Sequence, residues 1–85
     1  MFKVLLGAPY RRFLKKCEDE VYRRIIEKLR CLSADPFPVD TKRVISSREK
    51  IFRVRVGEYR IQYAVYQDKN EILITDIDKR SRAYK

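Results

Sequence analysis

The clearest pattern in the chain is a stretch in which apolar and polar residues alternate, residues 51–63. The alternation breaks once, at Gly57 and Glu58, and then resumes. Period-two alternation around a two-residue break that contains glycine predicts a β-hairpin, and glycine in the first central position suits a type II′ turn. Such a turn fixes the register, so that Val56 faces Tyr59 and each following pair is determined.

This register gives the hairpin two faces of different character. One face is apolar and carries Phe52, Val54, Val56, Tyr59, Ile61 and Tyr63. The other face, called the arginine face below, carries Arg53, Arg55 and Arg60, with Arg55 directly opposite Arg60. Like charges in opposed positions destabilise a sheet by up to about 1 kcal/mol relative to a neutral pair. We therefore interpret the arginine face as an anion-binding site, with an ordinary solvated outer face as the alternative.

The first part of the chain predicts one strand and two helices. Residues 2–6 form a short apolar run that is typical of a strand. Helical periodicity follows in residues 9–17 and again in about residues 20–33. Asp19 is the expected N-cap of the second helix, and Pro36 ends it because the residue before a proline avoids helical geometry. The apolar stripe of the second helix consists of Val21, Ile25, Ile26, Leu29 and Leu32.

The rest of the chain predicts further strands. Residues 42–45 are expected to form a short strand, residues 46–50 a turn, residues 67–70 a second turn and residues 71–78 the last strand. Consecutive strands with short turns pair antiparallel, and two amphipathic helices must bury their stripes on one sheet face. The predicted fold class is α+β, in the order β-α-α-β-β-β. Two N-terminal helices cover one face of a small, mostly antiparallel sheet of four to five strands, leave the arginine face open, and make residues 1–85 one domain.

Composition narrows the range of partners and of chemistry. Twenty-one lysines and arginines against twelve acidic residues give a net charge of +9 over 85 residues. Such a domain attracts polyanions, with nucleic acid as the first candidate, an acidic protein as the second and a membrane surface as the third. Because the chain has no histidine and only two cysteines, which lack a metal-type spacing, we expect no metal and no other cofactor.

The two cysteines and the N-terminus bear on the compartment. Cys17 and Cys31 fall on different predicted helices, about 20 Å apart at the standard helical rise. That separation is too large for a disulfide, so both are expected to be free, buried thiols, as in a reducing environment. The N-terminal apolar run is too short for a signal peptide or a membrane span. These features predict a cytoplasmic protein that does not enter a membrane.

The arginine face has the chemistry for binding phosphate. Guanidinium groups fork onto phosphate oxygens and stabilise the extra negative charge of a phosphoryl-transfer transition state. Asp76 and Asp78 share a strand face and are suitable ligands for Mg²⁺, but ion pairing with nearby arginines is the preferred interpretation. Tyr59, Tyr66 and Tyr84 are candidates for stacking on bases, although parity directs Tyr59 inward. These residues predict a phosphate-binding domain and leave RNA cleavage open.

The hairpin motif and the order of elements resemble the RelE/ParE superfamily of toxins from type II toxin–antitoxin systems, and the RelE branch in particular. The resemblance covers essentially the whole chain, including the helix-ending Asp35-Pro36, the hairpin core of residues 52–63 and the closing segment from Lys79 to Tyr84. It implies a ribosome-dependent, metal-independent endoribonuclease that cleaves mRNA by attack of the ribose 2′-OH on the adjacent phosphate. It also implies a cognate antitoxin, expected to be acidic, that inhibits the enzyme.

The resemblance also implies site residues. The positions that match the catalytic residues of the family are Arg53, Arg55, Arg60, Arg80 and Tyr84. Substrate binding is expected from Arg53, Arg55, Arg60, Lys79 and Arg82. Members of the family often carry lysine on the first hairpin strand, and arginine there favours electrostatic stabilisation over proton transfer, so the general acid and base stay unassigned. A gyrase inhibitor like ParE and a basic module that binds RNA or protein without cleavage are the alternatives.

Overall fold

Two helices and five strands make up the described part of the computed structural model, which covers residues 1–44 and 50–79. The elements are β1 (Lys3–Leu6), α1 (Ala8–Lys16), α2 (Asp19–Ala34), β2 (Lys42–Arg43), β3 (Ile51–Val56), β4 (Tyr59–Tyr66) and β5 (Glu71–Lys79). Predictions that concern residues 45–49 or 80–85 lie outside the described residues. Among the candidate site residues, this applies to Arg80, Arg82 and Tyr84.

The strands form one sheet in the order β1-β5-β4-β3-β2. β1 runs parallel to β5, and the other neighbouring pairs are antiparallel, so the predicted α+β class is confirmed. The hairpin register is confirmed as well, with Val56 opposite Tyr59 and Arg55 opposite Arg60. Gly57 has a φ of 57° while Glu58 does not have a positive φ, which fits the type II′ turn and excludes type I′.

Both helices pack on the apolar face of the hairpin. Ile25 and Leu32 of α2 are completely buried, and so are Ile61 and Tyr63 of β4. The core is composed of Leu14, Ile25, Leu29, Leu32, Val54, Val56, Ile61, Tyr63, Ile72 and Ile74. Full burial of each large aliphatic side chain contributes about 1.5–3 kcal/mol, so the helix stripe and the hairpin alternation together supply most of the driving force for the fold.

Two predictions about the helices were wrong. Asp19 is the first residue of α2 and not its N-cap; the N-cap is Glu18, which makes no capping hydrogen bond through its side chain. Cys31 is exposed and not buried, because the buried stripe of α2 runs through residues on the other side of the helix. Cys17 is half-buried at the end of α1, and both thiols are free as predicted. In the described residues, no helix is long and apolar enough to cross a membrane.

The loop between α2 and β2 is held by hydrogen bonds from three directions. The Phe37 N–H donates to Asp35 Oδ1 at 3.0 Å, which closes an Asx turn. The buried Tyr63 hydroxyl donates to the Pro36 carbonyl at 2.7 Å. Lys28 Nζ of α2 contacts Asp40 Oδ2 at 2.9 Å. These bonds fix the end of the loop from which β2 starts, and so they fix the position of that edge strand.

Candidate anion-binding site

The register of the sheet places the arginines of β3 and β4 in two rows on the face that the helices leave open. The first row crosses four strands and contains Lys42, Arg53, Gln62 and Asp76. The second row contains Arg55, Arg60 and Asp78. Neighbouring strands lie about 4.8 Å apart, so adjacent members of a row are within reach of one phosphate group. Arg55 is exposed, whereas Arg53 and Arg60 are half-buried.

A pocket of about 220 Å³ lies at the β2 end of these rows, lined by Asp40, Lys42, Arg53 and Arg55. Three of its four lining side chains are cationic. The fourth, Asp40, is bonded to Lys28 Nζ at 2.9 Å, and this bond holds the pKa of the Asp40 carboxyl below its ordinary value. The carboxylate charge is therefore balanced by Lys28, and the remaining cations stay available to a bound anion.

Lys42 was missed by the sequence reasoning, although it stands directly opposite Arg53. Its strand has two residues only, so it carries no alternation pattern from which a face could be predicted. The signal that was present is the basic pair formed by Lys42 and Arg43 directly before Val44. A pair of this kind does not reveal which of its members points to the arginine face.

A bulge in β5 places the two aspartates on the arginine face. The register shifts between Gln62, which faces Asp76, and Tyr63, which faces Ile74, so Thr75 is an extra residue in β5. The Tyr10 hydroxyl of α1 donates to the Thr75 carbonyl at 2.5 Å and so ties the bulge to the helix layer. Strict alternation from Ile74 would have directed Asp76 toward the helices, and the bulge reverses this.

Asp76 and Asp78 lie at the β5 end of the two rows, close enough to interact electrostatically. Burial, together with the charge of nearby Asp78, raises the pKa of the Asp76 carboxyl. Asp78 Oδ1 accepts a hydrogen bond from the Lys79 N–H at 2.8 Å. Ion pairing of these aspartates with nearby arginines, which the sequence favoured, stays a prediction because Arg80 lies outside the described residues. Among residues 1–44 and 50–79, no group of three or more potential ligands is arranged to hold a metal ion.

Lys79 is not brought to the arginines. It stands opposite Tyr59, whose ring packs on Phe13 of α1 with the centroids 5.5 Å apart. Lys79 therefore belongs to the face that carries the helices, and its Nζ lies 3.7 Å from Glu58 Oε2. Tyr59 and Tyr63 face inward as predicted. Tyr66 is exposed on the same face as Arg60, but six residues of strand place it about 20 Å away.

Comparison with known proteins identifies the family. The family model described as the ParE toxin of the type II toxin–antitoxin system parDE matches residues 6–84. A curated relative from Methanocaldococcus jannaschii, provisionally named as the toxin RelE1, is 35% identical in an alignment 82 positions long that covers 89% of this chain and 90% of that protein.

Two solved structures have the same fold over nearly their whole length. A chain of the archaeal RelE–RelB complex from Pyrococcus horikoshii is 25% identical, with a TM-score of 0.82 over 95% of this chain and 97% of that one. A chain of the toxin–antitoxin complex RelBE2 from Mycobacterium tuberculosis is 26% identical, with a TM-score of 0.74 over 93% and 98%. The chain therefore belongs to the RelE/ParE superfamily of toxins from type II toxin–antitoxin systems.

Proposed function

We propose that this toxin is an endoribonuclease of the RelE type, which cleaves mRNA on the ribosome in the cytoplasm and needs no metal. One observation supports the proposal most strongly, the clustering of cationic side chains on the face without helices. Lys42, Arg53 and Arg55 surround one pocket there, and Arg60 stands opposite Arg55. The relative from M. jannaschii and both structural neighbours, which are named as RelE or RelBE proteins, support the same branch.

The proposed reaction is transfer of the phosphate within the RNA backbone. The ribose 2′-hydroxyl loses its proton as its oxygen attacks the adjacent phosphorus. The bond to the 5′-oxygen breaks and that oxygen takes up a proton, which leaves a 2′,3′-cyclic phosphate and a 5′-hydroxyl. Extra negative charge develops on the non-bridging oxygens in the transition state, and fixed cations that face these oxygens lower the barrier. Arg53 and Arg55 are the proposed anchors for the phosphate, and Arg60 the proposed stabiliser of the developing charge. Arg80 and Tyr84 complete the proposed catalytic set, and Arg82 is proposed to bind the substrate.

The proposed partner is a cognate acidic antitoxin. The structural neighbour from M. tuberculosis comes from a toxin–antitoxin complex, RelBE2, and the one from P. horikoshii comes from a complex of RelE with RelB. A protein with a net charge of +9 whose arginines lie on an open face is strongly attracted to an acidic chain. Binding of such a chain over the arginines would prevent access of mRNA and so inhibit the toxin.

The experiment is a cleavage assay on translating ribosomes, with primer extension to map the cut sites on the mRNA. We expect the wild-type protein to cut and Arg60→Ala to cut at least a hundredfold more slowly, since loss of a single transition-state donor costs about 10²–10³ in rate. Arg11→Ala removes an exposed arginine from α1 and serves as the matched control that retains wild-type cleavage. Equal rates for all three proteins would refute the role of Arg60, and no cleavage by the wild type would refute the activity.

Inhibition of DNA gyrase is the second candidate, because the family model that matches the chain describes ParE toxins. A supercoiling assay with purified gyrase separates the two activities. A third outcome, binding of RNA without cleavage, would show an affinity that falls steeply with salt concentration and no cut sites.

A further inference from the structure

The outer edge of β3 is only partly covered. β2 pairs with β3 through two residues, with Lys42 opposite Arg53 and Arg43 opposite Phe52. In the described parts of the chain, no strand pairs with residues 54–56 on that side. A sheet edge with unpaired main-chain groups is the usual place for another extended chain to bind.

At Arg55, the main-chain N–H and C=O point to the side of β3 that faces away from β4. The Val44 N–H donates to the Ile51 carbonyl at 2.8 Å, so the main chain of Ile51 faces β2. Every second residue of an antiparallel strand presents its N–H and C=O to the same side, so Arg53 and Arg55 face outward as well. Lys42 stands opposite Arg53. The N–H and C=O of Arg55 have no facing strand among the described residues.

An open groove of about 520 Å³ lies between this edge and α2. On the helix side it is lined by Arg23, Arg24, Lys28 and Cys31, and on the strand side by Arg55 and Val56. Val56 is a core residue that is 9% exposed, so the floor of the groove reaches the edge of the core. The groove thus combines an apolar floor, a cationic rim and main-chain donors and acceptors.

The charge of the groove is strongly unbalanced. Four cations line it, against a single carboxylate, Glu27. Arg24 and Lys28 have carboxylate partners at 3.1 and 2.9 Å. Considering residues 1–44 and 50–79, no carboxylate oxygen lies within 4 Å of the guanidinium nitrogens of Arg23 or Arg55. These two charges stand on opposite sides of the groove and suit acidic side chains between them.

We propose that this groove binds an extended acidic segment of a protein partner, which adds as a strand to the outer edge of β3. The main chain of the segment bonds to the N–H and C=O of Arg55. The residue that faces Arg55 is acidic and pairs with its guanidinium, because opposed residues share a sheet face. The residues on either side point toward α2, where an apolar side chain meets Val56 and an acidic one meets Arg23. An RNA strand would engage the cations alone, so the main-chain and apolar groups favour a peptide.

Arg55 connects this groove with the candidate active site, since it lines both the 520 Å³ groove and the 220 Å³ pocket. A segment that pairs with the Arg55 guanidinium withdraws it from a phosphate in the pocket. This consequence rests on the proposed function, and it explains how a partner bound at the sheet edge inhibits the enzyme. The binding itself is independent of any cleavage.

The test is a binding experiment by nuclear magnetic resonance on the isotopically labelled full chain. The probe is a capped synthetic peptide of eight residues with the repeat Val-Glu-Glu, so that a glutamate opposite Arg55 has a valine on one side and a glutamate on the other. The control peptide carries lysine in place of each glutamate. We expect hydrogen exchange of the Arg55 amide to slow at least tenfold with the acidic peptide, and the lysine peptide to have no effect. Binding without slower exchange at Arg55 would overturn strand addition.

Charge-reversal variants test the location of the groove. Arg23→Glu combined with Arg24→Glu is expected to weaken peptide binding at least tenfold. Arg11→Glu combined with Arg12→Glu makes the same charge change on exposed positions of α1 and is expected to leave binding within twofold of wild type. Equal losses in both variants would show general electrostatic attraction and overturn the site. Slower exchange of the Arg55 amide with octauridylate, as large as with the acidic peptide, would assign these main-chain groups to RNA and likewise overturn the proposal.

Discussion

The ion pair between Lys28 and Asp40 is expected to control the affinity of the pocket for anions. Asp40 lines that pocket together with Lys42, Arg53 and Arg55, and its Oδ2 lies 2.9 Å from Lys28 Nζ. In Lys28→Met the carboxylate loses its partner and competes with a bound phosphate for the arginines. In Asp40→Asn the competing charge is absent, and the affinity for phosphate should rise.

The size of the expected change in phosphate affinity follows from how exposed the Lys28–Asp40 ion pair is to solvent. The Lys28 side chain is 22% exposed and that of Asp40 44%, so the ion pair is partly screened by water. Such pairs contribute up to about 1 kcal/mol. A newly available carboxylate at this site should therefore weaken phosphate binding about fivefold in Lys28→Met, since each 1.4 kcal/mol corresponds to about a factor of ten. The same pair should contribute a similar amount to the free energy of unfolding at neutral pH.

The assay is a double-mutant cycle with a short, uncleavable RNA as the ligand, measured by fluorescence anisotropy at fixed salt concentration. The double variant Lys28→Met/Asp40→Asn should regain nearly wild-type affinity, because both charges are removed together. If the double variant is as weak as Lys28→Met alone, Lys28 binds the RNA directly and the reasoning is refuted.

The same pair predicts a pH dependence of stability. Lys28 lowers the pKa of Asp40 in the folded state, so the unfolded state binds the proton more tightly. The stabilisation is then fully present above the pKa of the unfolded chain, about 4, and is lost as the pH falls through the lower, folded value. Urea denaturation of the wild type and of Asp40→Asn from neutral to acidic pH measures it, and parallel profiles would contradict the assignment.

Three further predictions concern stability. Tyr63→Phe removes the buried hydroxyl that donates to the Pro36 carbonyl, so thermal denaturation should show a loss of about 1–3 kcal/mol, whereas an unchanged melting temperature would contradict the role of this bond. Gly57→Ala forces alanine into a positive φ at a cost of about 1–2 kcal/mol, and Gly57→Asn should lose less because asparagine tolerates that conformation. Burial and nearby Asp78 raise the pKa of Asp76, so its folded form holds the proton more tightly and stability falls as the pH rises through that pKa. Asp76→Asn should therefore stabilise the protein at pH 7 and not at pH 3 in urea denaturation, and an equal effect at both would refute this reasoning.

Local patterns were sufficient for the hairpin and for most element bounds. The pairing of Arg55 with Arg60 follows from alternation and one glycine turn, both of which are properties of thirteen consecutive residues. The stripe of α2 likewise predicted that Ile25 and Leu32 are buried. The same reasoning misplaced Cys31, because a thiol suits either a buried or an exposed position and only the packing of α2 decides between them.

The sequence by itself determined that three arginines share the open face of a hairpin, because strand alternation and turn geometry are local. Only the tertiary structure decided what stands beside them. Lys42 joins the site because the loop before it is tied to α2 and to the sheet. Asp76 faces the same side because a bulge at Thr75, held by a hydroxyl from α1, reverses the alternation of β5. Both depend on bonds between distant parts of the chain, which no local pattern specifies.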